Sequence, residues 1–103
     1  MNVKLNNKEL EKLYTTGKSR KLKLPARVID KFLATIQKIE SAVTIYDLWN
    51  DRGLHFESLQ GYKNRYSMRL SGQYRLEMEI EWANEKQTKG DFILITISNH
   101  YKK

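Results

Sequence analysis

The chain has 103 residues, enough for one domain with a single modest core and too few for two. Its 19 Lys+Arg against 12 Asp+Glu give a formal net charge of +7, a surplus that favours polyanions such as nucleic acid, or an acidic protein partner. There is no cysteine, which excludes disulfides, thiolate metal sites and cysteine nucleophiles.

The opening residues, MNVKLNNKEL, lack the apolar stretch of a signal peptide. The longest apolar run, Phe92 to Ile95 continuing through Thr96 to Ile97, is far below membrane-spanning length. A cytoplasmic protein with no membrane contact is therefore expected. Val3 to Leu5 has the makings of a short strand. Asn6 or Asn7 can cap a helix from Lys8 to about Tyr14, with Leu10, Leu13 and Tyr14 on one face. A basic connection, TTGKSRKLK, follows over Thr15 to Lys23. Pro25 suits the first turn of a helix, because its missing N–H would be unpaired there anyway. Val28, Ile29, Phe32, Leu33, Ile36 and Ile39 recur at helical spacing, which predicts a helix to about Glu40 that buries this stripe. Thr44 followed by Asp47 resembles a capping box for a third, short helix holding Ile45, Leu48 and Trp49.

After Gly53 the period changes to two. Tyr66, Met68 and Leu70 alternate with Ser67 and Arg69; Tyr74, Leu76, Met78, Ile80 and Trp82 alternate with Arg75, Glu77, Glu79 and Glu81. Ala83 to Gly90 is polar, and Phe92 to Ile97 is apolar on both faces, as suits a central strand. These readings predict an α+β fold class, a single domain over residues 1–103, with N-terminal helices packed on one face of a small antiparallel sheet.

The hairpin MRLSGQYRLE raises a question of register. A two-residue turn at Gly72-Gln73 would pair Leu70 with Arg75 and mix the faces. A three-residue turn, Ser71-Gly72-Gln73, pairs Leu70 with Tyr74 and Met68 with Leu76, keeping every apolar residue on one side. It also sets Arg69 against Arg75, where like charges are unfavourable. Two things could offset the repulsion. Glu77, diagonal to Arg69, can bridge to it in an ordinary surface ladder. Alternatively, the two guanidinium groups hold a phosphate by paired hydrogen bonds.

His55 and His100 are the only side chains with an unperturbed pKa near neutrality, and so the natural candidates for proton transfer. Neither has a partner at metal-ligand spacing, and no metal or other cofactor is expected. The row Glu77, Glu79, Glu81 reads as a solvated strand face. No phosphate-binding glycine loop, dinucleotide fingerprint or serine-hydrolase elbow occurs. In GYKNRYSMR, however, Lys63, Arg65 and Arg69 are interleaved with Tyr62 and Tyr66, a combination that can hold phosphates and stack on unpaired bases. The plainer reading is a basic edge with half-buried tyrosines, which the parity of Tyr66 with Met68 favours for that residue.

GLHFESLQGYKNRYSMRLSGQYRLEMEIEW and the closing ILITISNHY together resemble the toxin component of bacterial type II toxin–antitoxin systems, the RelE/ParE superfamily, and most closely its HigB branch. The pieces that carry the resemblance are Leu54-His55, Leu59-Gln60-Gly61, Ser67-Met68-Arg69, Tyr74-Arg75-Leu76 and Asn99-His100. They cover the C-terminal half. The spacing from His55 to Gly61 is longer than is usual there, and the closing Asp-Tyr-His of the family stands here as Ser98-Asn99-His100. The resemblance implies a ribosome-dependent, metal-independent mRNA interferase. Arg75 and Arg69 would then face the scissile phosphate, His100 and His55 would transfer protons or position substrate, and Lys63, Arg65, Tyr62 and Asn99 would contact RNA or the ribosome. It also implies a cognate HigA-like antitoxin with a DNA-binding helix-turn-helix, through which alone the toxin reaches operator DNA. Two other readings are a non-enzymatic, ParE-like inhibitor of DNA gyrase and a non-toxic RNA-binding module.

Overall fold

In the computed structural model, which describes residues 1–99, the order of elements is β1 (Val3–Leu5), α1 (Lys8–Thr16), α2 (Ala26–Ser41), α3 (Ile45–Trp49), a 3-10 turn (Arg52–Leu54), β2 (Glu57–Ser58), β3 (Tyr66–Arg69), β4 (Tyr74–Trp82) and β5 (Gly90–Asn99). Helix α1 starts where the Oδ1 of Asn7 accepts the amides of Glu9 at 2.8 Å and Leu10 at 3.3 Å. It runs two residues past Tyr14, and there the hydroxyls of Thr15 and Thr16 donate back to the carbonyls of Glu11 and Lys12 at 2.8 and 2.7 Å. Gly17, at φ 74°, ends it in the left-handed conformation that glycine adopts without strain. Pro25 stands at the N-cap of α2, immediately before the first helical residue. For α3, the Asp47 carboxylate accepts the amides of Val43 at 2.8 Å and Thr44 at 3.2 Å, the acidic half of the expected box.

The sheet has five strands in the order β1-β5-β4-β3-β2. It is mixed rather than wholly antiparallel: β1 lies parallel to β5, with Val3 opposite Phe92 and Leu5 opposite Leu94. Nearly the whole chain separates these two strands, so no tight turn dictates their relative direction. The helices cover one face. Leu10, Leu13, Val28, Phe32, Ile36 and Ile39 meet Met68, Leu76, Met78, Ile80, Phe92 and Leu94 in one core. A fully buried side chain such as Phe32 is stabilised by about 1.5–3 kcal/mol relative to exposure. Ile29 and Leu33, at the edge of the α2 stripe, are only half-buried.

A bulge in β5 explains the unbroken apolar run there. Glu77 pairs with Thr96 but Met78 pairs with Leu94, leaving Ile95 as the extra residue. The parity switches at that point, so Phe92 and Leu94 point inward before it and Ile97 after it. Thr96 and Ser98 are turned to the outer face. The side-chain amide of Asn7 donates to the Ile95 carbonyl at 3.0 Å, giving the bulged backbone a partner. Rings connect α3 to the sheet: Trp49 lies 4.2 Å from Phe56, Phe56 5.5 Å from Tyr66, and Tyr66 6.1 Å edge-on to Trp82. Trp49 is nonetheless 44% exposed. Among the described residues no helix is long and apolar enough to cross a membrane.

Candidate functional site

The three-residue register holds. Leu70 N donates to Tyr74 O at 2.9 Å, and Met68 stands opposite Leu76, with Arg69 opposite Arg75. The Ser71 hydroxyl accepts the amides of Gln73 and Tyr74, both at 3.1 Å, and so closes the turn. Because Leu70–Tyr74 is a hydrogen-bonded pair, its neighbour Arg69–Arg75 is of the non-hydrogen-bonded type, in which opposed residues stand closest. Both arginines lie on the outer face of the sheet, away from the helices.

Their side chains part company. Arg75 leans along β3: its Nε donates to Ser67 Oγ at 2.8 Å, and its Nη2 donates to the carbonyl of His55 at 2.6 Å. Glu57 Oε1 lies 3.5 Å from the same Nη2. The Arg75 side chain is 13% exposed and Ser67 is fully buried beside it. Nη1 takes no part in these contacts, so its two donors are left over. Arg69 is exposed and makes no side-chain bond or ion pair among the described residues.

The expected bridge from Glu77 to Arg69 does not form. Glu77 instead accepts from Arg65 Nη1 at 3.0 Å, and Glu79 lies 3.6 Å from Arg65 Nη2. Lys4 takes Glu81 at 3.2 Å, and this contact, with the charges of Glu81 and Asp91, holds its ammonium pKa above the ordinary value. The acidic row is thus matched by cations from neighbouring elements rather than left to water. Near the hairpin turn, Arg69 has no carboxylate partner among the described residues, and Arg75 opposite it has Glu57 at 3.5 Å and an unused Nη1.

His55 follows the 3-10 turn at φ 45°, with its side chain exposed and its carbonyl bound to Arg75. Asn99 ends β5 opposite Tyr74, one step from the Arg75–Ser98 pair. The structure thus brings Arg69, Arg75, His55 and Asn99 to one end of the sheet. Tyr62, Lys63 and Arg65 sit at the other end of β3. Lys63 lies in a bend before β3 begins at Tyr66, whereas Arg69 ends that strand. Tyr62 is 58% exposed, and the Arg65 guanidinium lies 4.8 Å from its ring centre. Arg65 is thereby held by two carboxylates and a ring. Lys63 projects into solvent. His100 lies outside the described residues.

Two participants were not singled out in the sequence, Ser67 and Glu57. Ser67 sits in the Ser-Met-Arg motif, and its place two residues before Arg69 on the same strand face was legible. Glu57 was not, because its approach to Arg75 depends on β2 pairing beside β3, which sets Glu57 opposite Ser67. Among the described residues no group of three or more His, Cys, Asp and Glu side chains is arranged to hold a metal ion.

The chain thus folds as a helical layer over one face of a five-stranded sheet, with Arg69 and Arg75 on the outer face. The YoeB/ParE toxin from Agrobacterium tumefaciens has this fold: it superposes with a TM-score of 0.62 at 16% identity, over 98% of this chain and 100% of that one. The chain belongs to the HigB-like toxin family, RelE-like toxins of the type II toxin–antitoxin system HigB, which matches it over residues 3–91. The matched span takes in the helical half and the sheet up to the start of β5, so the Asn99-His100 piece lies beyond it, whereas the motifs legible by eye lay in the C-terminal half. A search of curated protein sequences found no match.

Proposed function

We propose that the protein is a ribosome-dependent endoribonuclease that cleaves translated mRNA in the ribosomal A site. The observation that carries this reading is the pair Arg69–Arg75: one guanidinium fixed by Ser67, His55 and Glu57 with donors to spare, the other free beside it, on a face whose carboxylates are otherwise matched. Two planar cations at adjacent positions suit a phosphodiester passing through a more highly charged transition state. Each such donor is worth about 10²–10³ in rate in comparable sites.

The reaction is attack of the ribose 2′-oxygen on the adjacent phosphorus. A base takes the 2′-hydroxyl proton, the P–O5′ bond breaks, and an acid returns a proton to the departing 5′-oxygen, leaving a 2′,3′-cyclic phosphate and a 5′-hydroxyl. Glu57, 57% exposed and 3.5 Å from Arg75, is placed to act as the base beside that cation. His100 and His55 are the remaining proton carriers, and Lys63, Tyr62 and Asn99 are candidate contacts to RNA or ribosome. Such chemistry needs no metal or cofactor. The natural partner is an antitoxin, of HigA-like helix-turn-helix type, that carries the complex to operator DNA. Its substrate, translated mRNA, places the toxin in the cytoplasm.

The test is mRNA 5′-end mapping after brief induction of the wild type and of Arg75→Ala in cells without antitoxin. In-frame ends inside coding regions, absent from the variant, are expected. Growth arrest with no new ends would overturn the reading in favour of a binding inhibitor of the gyrase-directed kind.

A further inference from the structure

Between α1 and α2 the chain runs GKSRKLKLPAR, Gly17 to Arg27: five cations and no acidic residue. Lys18, Arg20, Lys21, Lys23 and Arg27 are all exposed, and among the described residues none makes an ion pair. Elsewhere Lys4, Lys12, Lys38, Arg65 and Arg75 each have a carboxylate within ion-pair distance, while Lys8, Lys31, Arg52, Lys63, Arg69, Lys86 and Lys89 have none among the described residues; what sets this segment apart is the density of its cations with no carboxylate among them.

This basic segment is anchored. The Ser19 hydroxyl donates to Glu9 of α1 at 2.9 Å and accepts the Leu22 amide at 3.3 Å. Leu22 and Leu24 are half-buried against the core while Lys21 and Lys23 alternate with them to face outward. Between α1 and the segment lies a groove of about 440 Å³ whose lining includes Lys12, Lys18, Arg20 and Lys21, with Glu9 already taken by Ser19 and Lys12. The groove belongs to the helical layer, so the sheet separates it from Arg69 and Arg75.

Cations crowded in this way repel one another unless an anion sits among them. A phosphate backbone would answer the charge but leave the exposed flanks of Leu22 and Leu24 in water, and the segment has no aromatic residue on which a base could stack. A protein segment that combines carboxylates with apolar side chains covers both. We propose that Lys18–Arg27 is the docking surface for an acidic, partly apolar segment of the antitoxin, which would grip the helical layer and leave the sheet face open. This rests on the antitoxin-partner part of the proposed function and not on RNA cleavage.

The experiment is an NMR titration of the isotopically labelled full chain with a synthetic peptide of Glu and Leu repeats and, separately, with oligouridylate of equal charge. The peptide should shift the amides of residues 17–27 and the facing turns of α1, sparing β3 and β4. The charge reversal K18E/R20E/K21E/K23E should weaken peptide binding by at least about 10-fold while leaving RNA cleavage intact. All four side chains are exposed, and a Lys/Arg→Gln version of the same variant, which should also weaken binding, guards against misfolding. Peptide shifts confined to the sheet face, unchanged affinity in both variants, or tighter binding of oligouridylate than of peptide at 17–27 would each overturn the proposal. Shifts on β3 and β4 with RNA bear on the cleavage reading alone, so the two can fail separately.

Discussion

Arg75 faces Arg69 across the β3–β4 ladder, yet the two charges occupy different surroundings: Arg75 is clasped by Ser67, the His55 carbonyl and Glu57, while Arg69 stands in solvent. The repulsion expected of an opposed like-charge pair is relieved by direction, since one guanidinium turns toward β2. That clasp leads to the first prediction. Ser67→Ala leaves the Nε of Arg75 without its acceptor and should cost about 1–3 kcal/mol of stability. Single-turnover cleavage on programmed ribosomes should fall with it, and Arg75→Lys, which keeps the charge but loses the fork, should fall further. Full cleavage by Arg75→Lys would show that charge alone suffices.

Arg65, at 19% exposure, donates to Glu77, itself at 16%, and lies within ion-pair distance of Glu79. Arg65→Ala strands the Glu77 carboxylate and should destabilise the fold by about 1–3 kcal/mol, read as a lower urea midpoint at unchanged slope. A variant of wild-type stability that binds ribosomes less well would assign Arg65 to RNA contact instead.

His55 holds φ 45°, a conformation that costs an L-residue roughly 1–2 kcal/mol. His55→Gly preserves the carbonyl that Arg75 uses, so stability should hold or rise. Cleavage should drop if the imidazole moves a proton. An unchanged rate in the folded variant would remove the imidazole from the mechanism.

Gly90 begins β5 where a Cβ would come within 2.6 Å of the Glu81 carbonyl oxygen and 2.8 Å of Ile80 Cγ2. The obstacle is partly backbone and cannot rotate away. Gly90→Ala should therefore cost about 1–3 kcal/mol, measured by thermal or urea unfolding.

Acid should weaken the fold through two carboxylates. The amides of Val43 and Thr44 lower the pKa of Asp47, and the Lys38 ammonium at 2.8 Å lowers that of Asp51, both from the ordinary value of 3.8. A depressed folded-state pKa means that the unfolded chain binds more protons, so this stability is present above pH 3.8 and is lost as pH falls through the folded values. The urea midpoint should decline below about pH 4, less steeply in an Asp47→Asn, Asp51→Asn variant. An identical acid limb in that variant would refute the assignment.

The short-range features of this protein are written in its sequence. Apolar spacing set the α2 stripe and the β3–β4 register, since a slip of one residue would have turned a whole face to water. Asn7 and Asp47 marked helix starts because a cap acts on amides only a few residues away. The opposition of Arg69 and Arg75 followed from the same parity argument, and the order of motifs in the C-terminal half was enough to indicate the family. What the sequence could not decide was which long-range partner each charge would choose. Glu77 went to Arg65 rather than Arg69, Arg75 turned to a carbonyl and a carboxylate near residue 55, and β1 joined β5 in parallel. These outcomes depend on how segments distant in sequence are carried together by packing of the core, and on the bulge at Ile95 that sets which residues of β5 face outward. Local pattern carries no information about such meetings, because the energies that select them arise only once the chain is folded.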